Sequence, residues 1–375
     1  MIGLLDFLRL TNILNYINLS LQQLFQDLGV LSLKRLILSI SITIIIIFVL
    51  FTQISLEDLY TLLKSIDPLW AILGSAGYLL AILFRALRYR GLIHSKEIPL
   101  SELFRVSVFY NLSLMVLPSK LGELSYPYLL NRISGMNMTE GLASLIASRI
   151  YDFFTLLMVF LFASIGFQRF FRINFLLVIL LACVLTGLIL LVFFYMDNLL
   201  RLFSAVLGRI SNWTGPKHRK PFQWSQTKIN EMAEDFCAIK AKRTYLSVTL
   251  TSLISWIMVF WMFYAFLRGF GIDISFLKVV FGSTVAVIAN TLPISGLGNW
   301  GLLEAGWAAG FMIVGLSKGK AIATGFGVHI MIFAISVVIG FICWATLHLP
   351  VMPTTGRRQA ETMKPFPVTR SKEAK

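Results

Sequence analysis

The sequence predicts an all-α polytopic membrane protein, with about six full spans and two Pro/Gly-broken re-entrant hairpins arranged as an inverted repeat. Of the 375 residues, 57% are hydrophobic and 14% are charged, whereas about a quarter of a soluble domain is charged. Long uncharged stretches match the roughly 20 residues that a helix needs to cross a bilayer core. This composition excludes a disordered chain, a small disulfide scaffold and an ordinary cytosolic enzyme.

Six stretches have the length of a span and little or no formal charge: 36–56, 68–84, the uncharged run between Asp152 and Arg169 with its extension back toward Gly141, 173–196, 244–267 and 321–356. Two further apolar stretches, 101–132 and 276–316, are interrupted by Pro and Gly. Each of their arms has about fifteen residues, which is short of a full span and favours re-entrant hairpins. Spans kinked at proline are the alternative.

The distribution of Lys and Arg orients these segments, because cytoplasmic loops carry the excess of positive charge. The basic loop 197–244 holds nine Lys and Arg against four acids, and the tail 350–375 holds six against two. We expect both to be cytoplasmic, in a plasma (inner) membrane, so that both termini lie inside. The loop then separates a first membrane repeat, 34–196, from a second, 245–349. Topology and anionic headgroups, rather than nucleic acid, account for the net charge of +15.

The segments outside the spans differ in character. Residues 1–33 place apolar side chains at spacings of three and four, which indicates an amphipathic interfacial helix. A helix packed on the bundle is the alternative. Segments 199–210 and 225–240 of the basic loop have the character of short helices, and we expect the tail 350–375 to be disordered.

Two regions share an order of residues that indicates an internal repeat. In both, an apolar half-segment ends at Leu-Pro, restarts with a Glu and leads into a full span: Leu117-Pro118 and Glu123, then Leu292-Pro293 and Glu304. A glycine lies fourteen residues before Arg149 and before His329 alike. The predicted orientation makes the two regions enter from opposite faces, as in transporters whose broken helices meet near the membrane midplane.

Ionisable side chains at membrane depth are costly and are therefore candidates for function. The sequence offers five as a substrate-binding set: Glu123, Arg149, Asp152, Glu304 and His329. Arg149 and Asp152 are three residues apart on one helical face, so mutual neutralisation inside the bundle is the structural alternative. His329 is also a candidate proton carrier, because imidazole titrates near physiological pH; a satisfied structural histidine is the alternative.

Gly296, Gly298 and Gly301 match the spacing G-x-G-x-x-G. The run before them lies in a membrane segment, and Lys318 and Lys320 stand where a carboxylate is needed, so we reject a dinucleotide cofactor. A helix that starts after a glycine turn still presents N–H groups that are able to hold a phosphate headgroup. These glycines join the predicted substrate-binding set.

Arg85, Arg88 and Arg90 close the second span. Snorkelling of their side chains to phosphates and a role in gathering anionic headgroups are both compatible with this position. No catalytic triad, paired catalytic carboxylates, H-E-x-x-H motif or P-loop occurs, and the three cysteines lack zinc-site spacing. We therefore expect no catalytic residues, no metal, no cofactor and no enzymatic activity.

Three motifs resemble the lysylphosphatidylglycerol synthase transmembrane-region family, also called flippase-like proteins. Residues 117–123 (LPSKLGE) are similar to its P-x-[RK]-x-GE, residues 148–152 (SRIYD) to its ER-x-x-D, and residues 292–304 to its glycine-rich segment that ends in Glu. The likeness covers roughly 35–349, with His329 where the family often has Arg. This resemblance implies the lipid-translocating membrane part of such proteins. We expect a standalone member of the family, without the aminoacyltransferase domain.

This resemblance predicts a lipid translocase that moves an anionic, aminoacylated or glycosylated lipid between leaflets. Arg149 and the N–H groups near 296–301 would engage phosphate, and Glu123 and Glu304 a cationic or hydroxyl-bearing headgroup. A proton-coupled transporter of small solutes and a non-transporting partner of envelope lipid or polysaccharide synthesis enzymes are the alternatives. We expect membrane lipids as partners and no nucleic acid; the oligomeric state stays open.

Overall fold

The computed structural model describes residues 44–50, 52, 56–117, 121–166, 175–213, 216–291 and 300–346, and all regular structure within them is helical. Residues 44–50 are helical, and eleven longer helices follow in the described chain. These are α1 (Leu56–Lys64), α2 (Pro68–Leu92), α3 (Leu100–Val116), α4 (Leu121–Ser134), α5 (Met138–Gly166), α6 (Phe175–Trp213), α7 (Pro216–Ala241), α8 (Tyr245–Gly269), α9 (Phe276–Thr291), α10 (Leu302–Ile313) and α11 (Lys318–Thr346).

Five helices in the described ranges are long and apolar enough to cross a membrane, which confirms the predicted all-α polytopic class. Their apolar parts are Pro68–Leu92, Met138–Ser164, Cys183–Ser211, Tyr245–Gly269 and Lys318–Ala345. Each corresponds to a predicted span, although α2 continues past its predicted end through Arg85 and Arg88. The interfacial helix predicted at 1–33, most of the span predicted at 36–56 and the tail 350–375 lie outside the described residues.

Two pairs of shorter helices pack closely on each other. Gly306 and Gly310 of α10 face α9, where a Cβ on Gly306 would lie 2.6 Å from Ala289 and one on Gly310 would meet the carbonyl of Gly282. Later residues of α10 thus lie against earlier residues of α9, and the two helices form an antiparallel hairpin. Gly122, near the start of α4, lies in the same way against the end of α3. Their re-entrant insertion stays a prediction.

Helices α2 to α5 match α8 to α11 in order and length. α2 and α8 have 25 residues each, α3 and α9 have 17 and 16, α4 and α10 have 14 and 12, and α5 and α11 have 29 each. Gly135 and Gly315 hold positive φ angles, 64° and 104°, before the last helix of each set. The sets pack reciprocally, α2 on α8, α3 on α11 and α9 on α5. These correspondences are the ones that an internal repeat would produce, and both the repeat and its inversion stay predictions.

The basic loop 197–244 is largely helical. α6 has 39 residues, about 58 Å of helix, so it extends well beyond a bilayer core of about 30 Å. The segment 199–210 is therefore a continuation of the span and not the separate short helix that the sequence predicted, whereas 225–240 lies within α7. Asp197 and Lys240 join the two helices through an ion pair of 2.5 Å.

Candidate functional site

A network of buried polar side chains joins α2, α5 and α8. Nη1 of Arg88 lies 2.5 Å from Oδ1 of Asp152, and 1% and 9% of these side chains are exposed. The indole N–H of Trp256 donates to the same carboxylate oxygen at 2.8 Å, and Arg88 also donates to the hydroxyl of Ser252 at 3.4 Å. Opposite charges attract strongly in such a poorly polar interior. The pair therefore fixes α2 against α5, one helix from each end of the first set.

Arg149 connects this ion pair to a more accessible edge of the network. Its Nη1 lies 3.4 Å from Asp152 Oδ2, and its Nη2 lies 3.3 Å from Glu123 Oε1 and donates to the Tyr110 hydroxyl at 2.6 Å. The side chains of Arg149 and Glu123 are 36% and 29% exposed. The structure thus brings together Glu123, Arg149 and Asp152, and Arg149 pairs with Asp152 as in the structural alternative drawn from their three-residue spacing. Their role in substrate binding stays a prediction.

The network carries a surplus of positive charge. Arg85 lies one turn before Arg88 on α2 and donates to the side-chain oxygen of Asn111. Counted with Arg88 and Arg149 against the carboxylates of Glu123 and Asp152, it gives this region a net charge of +1. Within the described part of the chain, Nε of Arg88 and Nε of Arg149 have no hydrogen-bond acceptor. Buried donors without an acceptor are unfavourable. The network, which we call the arginine network, therefore carries surplus positive charge, and the exposed part of the Arg149 guanidinium is where an anion is able to reach it.

A second polar cluster lies in the second set of helices. Nδ1 of His329 on α11 lies 2.6 Å from Oε1 of Glu304 on α10, and 1% and 0% of these side chains are exposed. The other carboxylate oxygen accepts the backbone N–H of Gly301 at 2.7 Å, and Trp300 stacks on the imidazole with ring centroids 4.0 Å apart. Gly301 adopts a φ of 89°, which glycine allows without a steric penalty, and this conformation starts α10.

The two clusters share one geometry and differ in access. Glu123 and Glu304 are each the third residue of a short helix and pair with a side chain of the following long helix. Glu123 is partly open, whereas both oxygens of Glu304 are engaged in a fully buried site. The predicted contact between Glu304 and a headgroup is therefore not available in this conformation. His329 stands in the second set where Arg149 stands in the first, and its imidazole forms a compact pair with Glu304.

Several predicted positions have a different setting from the one expected. Arg88 does not snorkel to an interface, because it is buried and pairs with a carboxylate. Gly296 and Gly298 lie outside the described residues, and Gly301 caps α10. The sequence pointed to none of Tyr110, Asn111, Ser252 and Trp256, because such side chains are common in apolar helices and nothing in their spacing marks them. The described ranges contain no group of three His, Cys, Asp or Glu able to hold a metal.

Arg90 lies apart from the network, at the end of α2. It lines a cavity of about 70 Å³ together with Lys96, Glu97 and Lys242. The ammonium of Lys242 donates to the carbonyls of Arg90 and Ile93, at 3.1 and 2.6 Å, which places a cation at the negative end of α2. Burial lowers the pKa of Lys242, although the Glu97 charge opposes the shift. The cavity is thus lined by three cations (Arg90, Lys96 and Lys242) and one carboxylate (Glu97). This surplus of positive charge suits an anionic headgroup, and the role of Arg90 in gathering headgroups stays a prediction.

The helices and their charged network define a polytopic helical membrane protein with a polar site enclosed among its apolar helices. Residues 36–340 match the family described as Lysylphosphatidylglycerol synthase TM region. This range includes both polar clusters, and the chain belongs to that family, which links it to lipid handling. No curated protein matches the chain.

Proposed function

We propose that the protein is a lipid translocase and that the arginine network receives an anionic headgroup as it passes between leaflets. The observation that carries the proposal is the surplus charge of +1 in a site where Arg149 is still 36% exposed. A charge at membrane depth is costly without a partner. A phosphate group would neutralise the surplus and accept hydrogen bonds from the exposed part of the Arg149 guanidinium.

Glu123 gives the site a second kind of contact. Its carboxylate lies beside Arg149 and is 29% exposed, so it can accept hydrogen bonds from an amine or a hydroxyl group. This chemistry suits an aminoacylated or glycosylated lipid better than a bare phosphate. The acyl chains stay in the bilayer, the path opens laterally, and the activity makes and breaks no covalent bond. We place this activity in the plasma (inner) membrane, with both termini cytoplasmic.

The test measures lipid movement in vesicles. The full-length protein is reconstituted into phosphatidylcholine vesicles that contain tail-labelled fluorescent phosphatidylglycerol, and dithionite is added to bleach the outer leaflet. The expected result is loss of the protected inner-leaflet signal with wild type and about tenfold slower loss with Arg149→Gln, because one charge-assisted contact to phosphate is lost.

The matched control is Arg209→Gln, which removes an exposed arginine of α6 outside the network and is expected to move lipid at the wild-type rate. Size-exclusion profiles establish that each variant is folded. If vesicles that contain the wild-type protein lose the protected signal no faster than protein-free vesicles do, the proposal is contradicted. An equal rate for Arg149→Gln and wild type would remove the arginine network from the path.

One observation favours a second candidate, a proton-coupled transporter of small solutes. A carboxylate and an imidazole lie 2.6 Å apart in the buried Glu304–His329 pair, and pairs of this composition serve as proton relays in transporters. Solute uptake that depends on an imposed proton gradient and is lost in His329→Gln would support this function. Lipid movement that is insensitive to the gradient, without solute uptake, would exclude it.

A further inference from the structure

An apolar groove of about 600 Å³ opens on the outer surface of the helix bundle between α2, α3 and α11. Leu79, Leu80 and Leu83 of α2, Phe104 of α3 and Cys343 of α11 line it. Leu79 and Leu80 are 37% and 42% exposed, and they lie in a helix that is able to span the membrane. The groove therefore faces the acyl chains of the bilayer.

Arg105 gives this groove a charge. It lies in the lining beside Ser101 and is partly buried. Glu102, one turn earlier on α3, accepts a hydrogen bond from Ser134 instead, and within the part of the chain that the structure describes no carboxylate forms an ion pair with Arg105. An anion nearby stabilises a partly buried cation at the edge of an apolar groove.

The size and the chemistry of the groove fit one kind of occupant. Its volume lies within the range of about 300–1,000 Å³ of sites that hold small molecules. Hydrocarbon alone gains little there, because lipid tails are as apolar as leucine side chains. Retention of a ligand therefore depends on Arg105, and basic pockets between membrane helices hold anionic headgroups.

We propose that the groove holds an acyl chain of an anionic phospholipid whose phosphate contacts Arg105. This inference rests on the proposed function and deepens it, since it gives a translocated lipid a docking place on the outside of the bundle. Arg105 and the arginine network would both bind phosphate. The groove binds the lipid from the bilayer, and the network receives the headgroup between the helices.

The test is native mass spectrometry of the full-length protein titrated with phosphatidylglycerol or with phosphatidylcholine of the same chains. We expect wild type to retain phosphatidylglycerol preferentially. Arg105→Gln, which removes the charge, and Leu80→Trp, which fills the groove, should each weaken retention about fivefold. Arg209→Gln and Leu188→Trp are the matched controls, because they change an exposed arginine and a 55% exposed leucine on α6, and wild-type retention is expected for both.

Equal retention of phosphatidylglycerol by Arg105→Gln, Leu80→Trp and wild type would overturn the proposal. So would a dimer that Leu80→Trp dissociates, because the groove would then be an interface between two copies. Displacement of the lipid by glycerol phosphate alone would also contradict it, since the acyl chain would not contribute. If the two variants lose lipid while wild type moves none in vesicles, the groove stands and the translocase fails. If wild type moves lipid and retention is unchanged in the variants, only the groove fails.

Discussion

The carboxylate of Glu304 lies 2.6 Å from Nδ1 of His329, in a site where neither side chain is more than 1% exposed. The same carboxylate accepts the backbone N–H of Gly301 at the start of α10. One acidic group therefore caps a short helix and binds that helix to α11. The geometry indicates a structural role for Glu304, in addition to any role in transport.

Replacement of Glu304 should test that role by its effect on stability. Glu304→Ala leaves the Gly301 N–H and the imidazole of His329 buried without their partner, and each unsatisfied group costs about 1–3 kcal/mol. Glu304→Gln keeps an acceptor for Gly301 and should lose less. The protein is titrated with a denaturing detergent in mixed micelles, and circular dichroism follows the loss of helix. The free energy of unfolding is obtained from this curve. Glu234→Ala, an exposed change on α7, is the control, and equal stability of Glu304→Ala and Glu234→Ala would refute the structural role.

Asp152→Asn should destabilise the protein more than loss of an exposed ion pair. It removes the negative charge that pairs with Arg88 and Arg149 but keeps an oxygen that is able to accept the Trp256 N–H. A buried charge left without its partner costs about 3–5 kcal/mol. Lys228→Gln breaks an exposed pair with Glu231, for which about 0.5 kcal/mol or less is expected. The same detergent titration gives the free energy of unfolding of both variants. If Asp152→Asn and Lys228→Gln lost similar amounts of stability, water would have to screen the charges of the arginine network.

Composition and spacing predicted the parts of this fold that depend on local sequence. Apolar stretches were sufficient to predict the five helices that are long and apolar enough to cross a membrane, because burial in lipid requires length and hydrophobicity alone. The pairing of Arg149 with Asp152 follows from their spacing on one helix. The correspondence of Glu123 with Glu304 was visible because each follows a Leu-Pro pair.

The remaining features depend on contacts between distant segments. Arg88 and Asp152 are 64 residues apart in the chain, so no local pattern favours this pair over snorkelling of Arg88. The length of α6 was also missed, because charges after residue 196 mark the end of a membrane segment but not of a helix. The same holds for the groove beside Arg105, which exists only because α2, α3 and α11 pack together.

Glu123→Gln should strengthen the binding of anionic lipid. The substitution raises the net charge of the arginine network from +1 to +2 and removes the carboxylate that lies 3.3 Å from Arg149. One added positive charge near a phosphate is worth about 1 kcal/mol, or about fivefold in affinity. Titration with phosphatidylglycerol in native mass spectrometry measures the change. Glu57→Gln, which removes an exposed acid of α1, is the control. Unchanged binding by Glu123→Gln would show that the network is not an anion site, whereas weaker binding would show that the contact of Glu123 with the headgroup hydroxyls outweighs the added charge.

Two glycine substitutions should change stability in opposite directions. A Cβ at Gly310 would meet the backbone carbonyl of Gly282, so Gly310→Ala forces α9 and α10 apart, and such overpacking costs about 1–3 kcal/mol. Nothing lies within 4 Å of the corresponding Cβ at Gly187 in the middle of α6. Gly187→Ala should therefore stabilise the protein by about 0.5–1 kcal/mol, because alanine restricts the unfolded chain and favours helix.

The same chemical change is made inside a helix in both glycine variants, so helix propensity cancels in the comparison and the difference isolates the contact between α9 and α10. Detergent denaturation again gives both free energies of unfolding. If Gly310→Ala were as stable as Gly187→Ala, the hairpin would be able to separate its helices without loss, and the antiparallel contact would not be what holds Glu304 in place. A destabilised Gly310→Ala that also loses the hydrogen bond between Glu304 and Gly301, seen as faster exchange of the Gly301 amide, would show that the close packing of the hairpin positions the carboxylate.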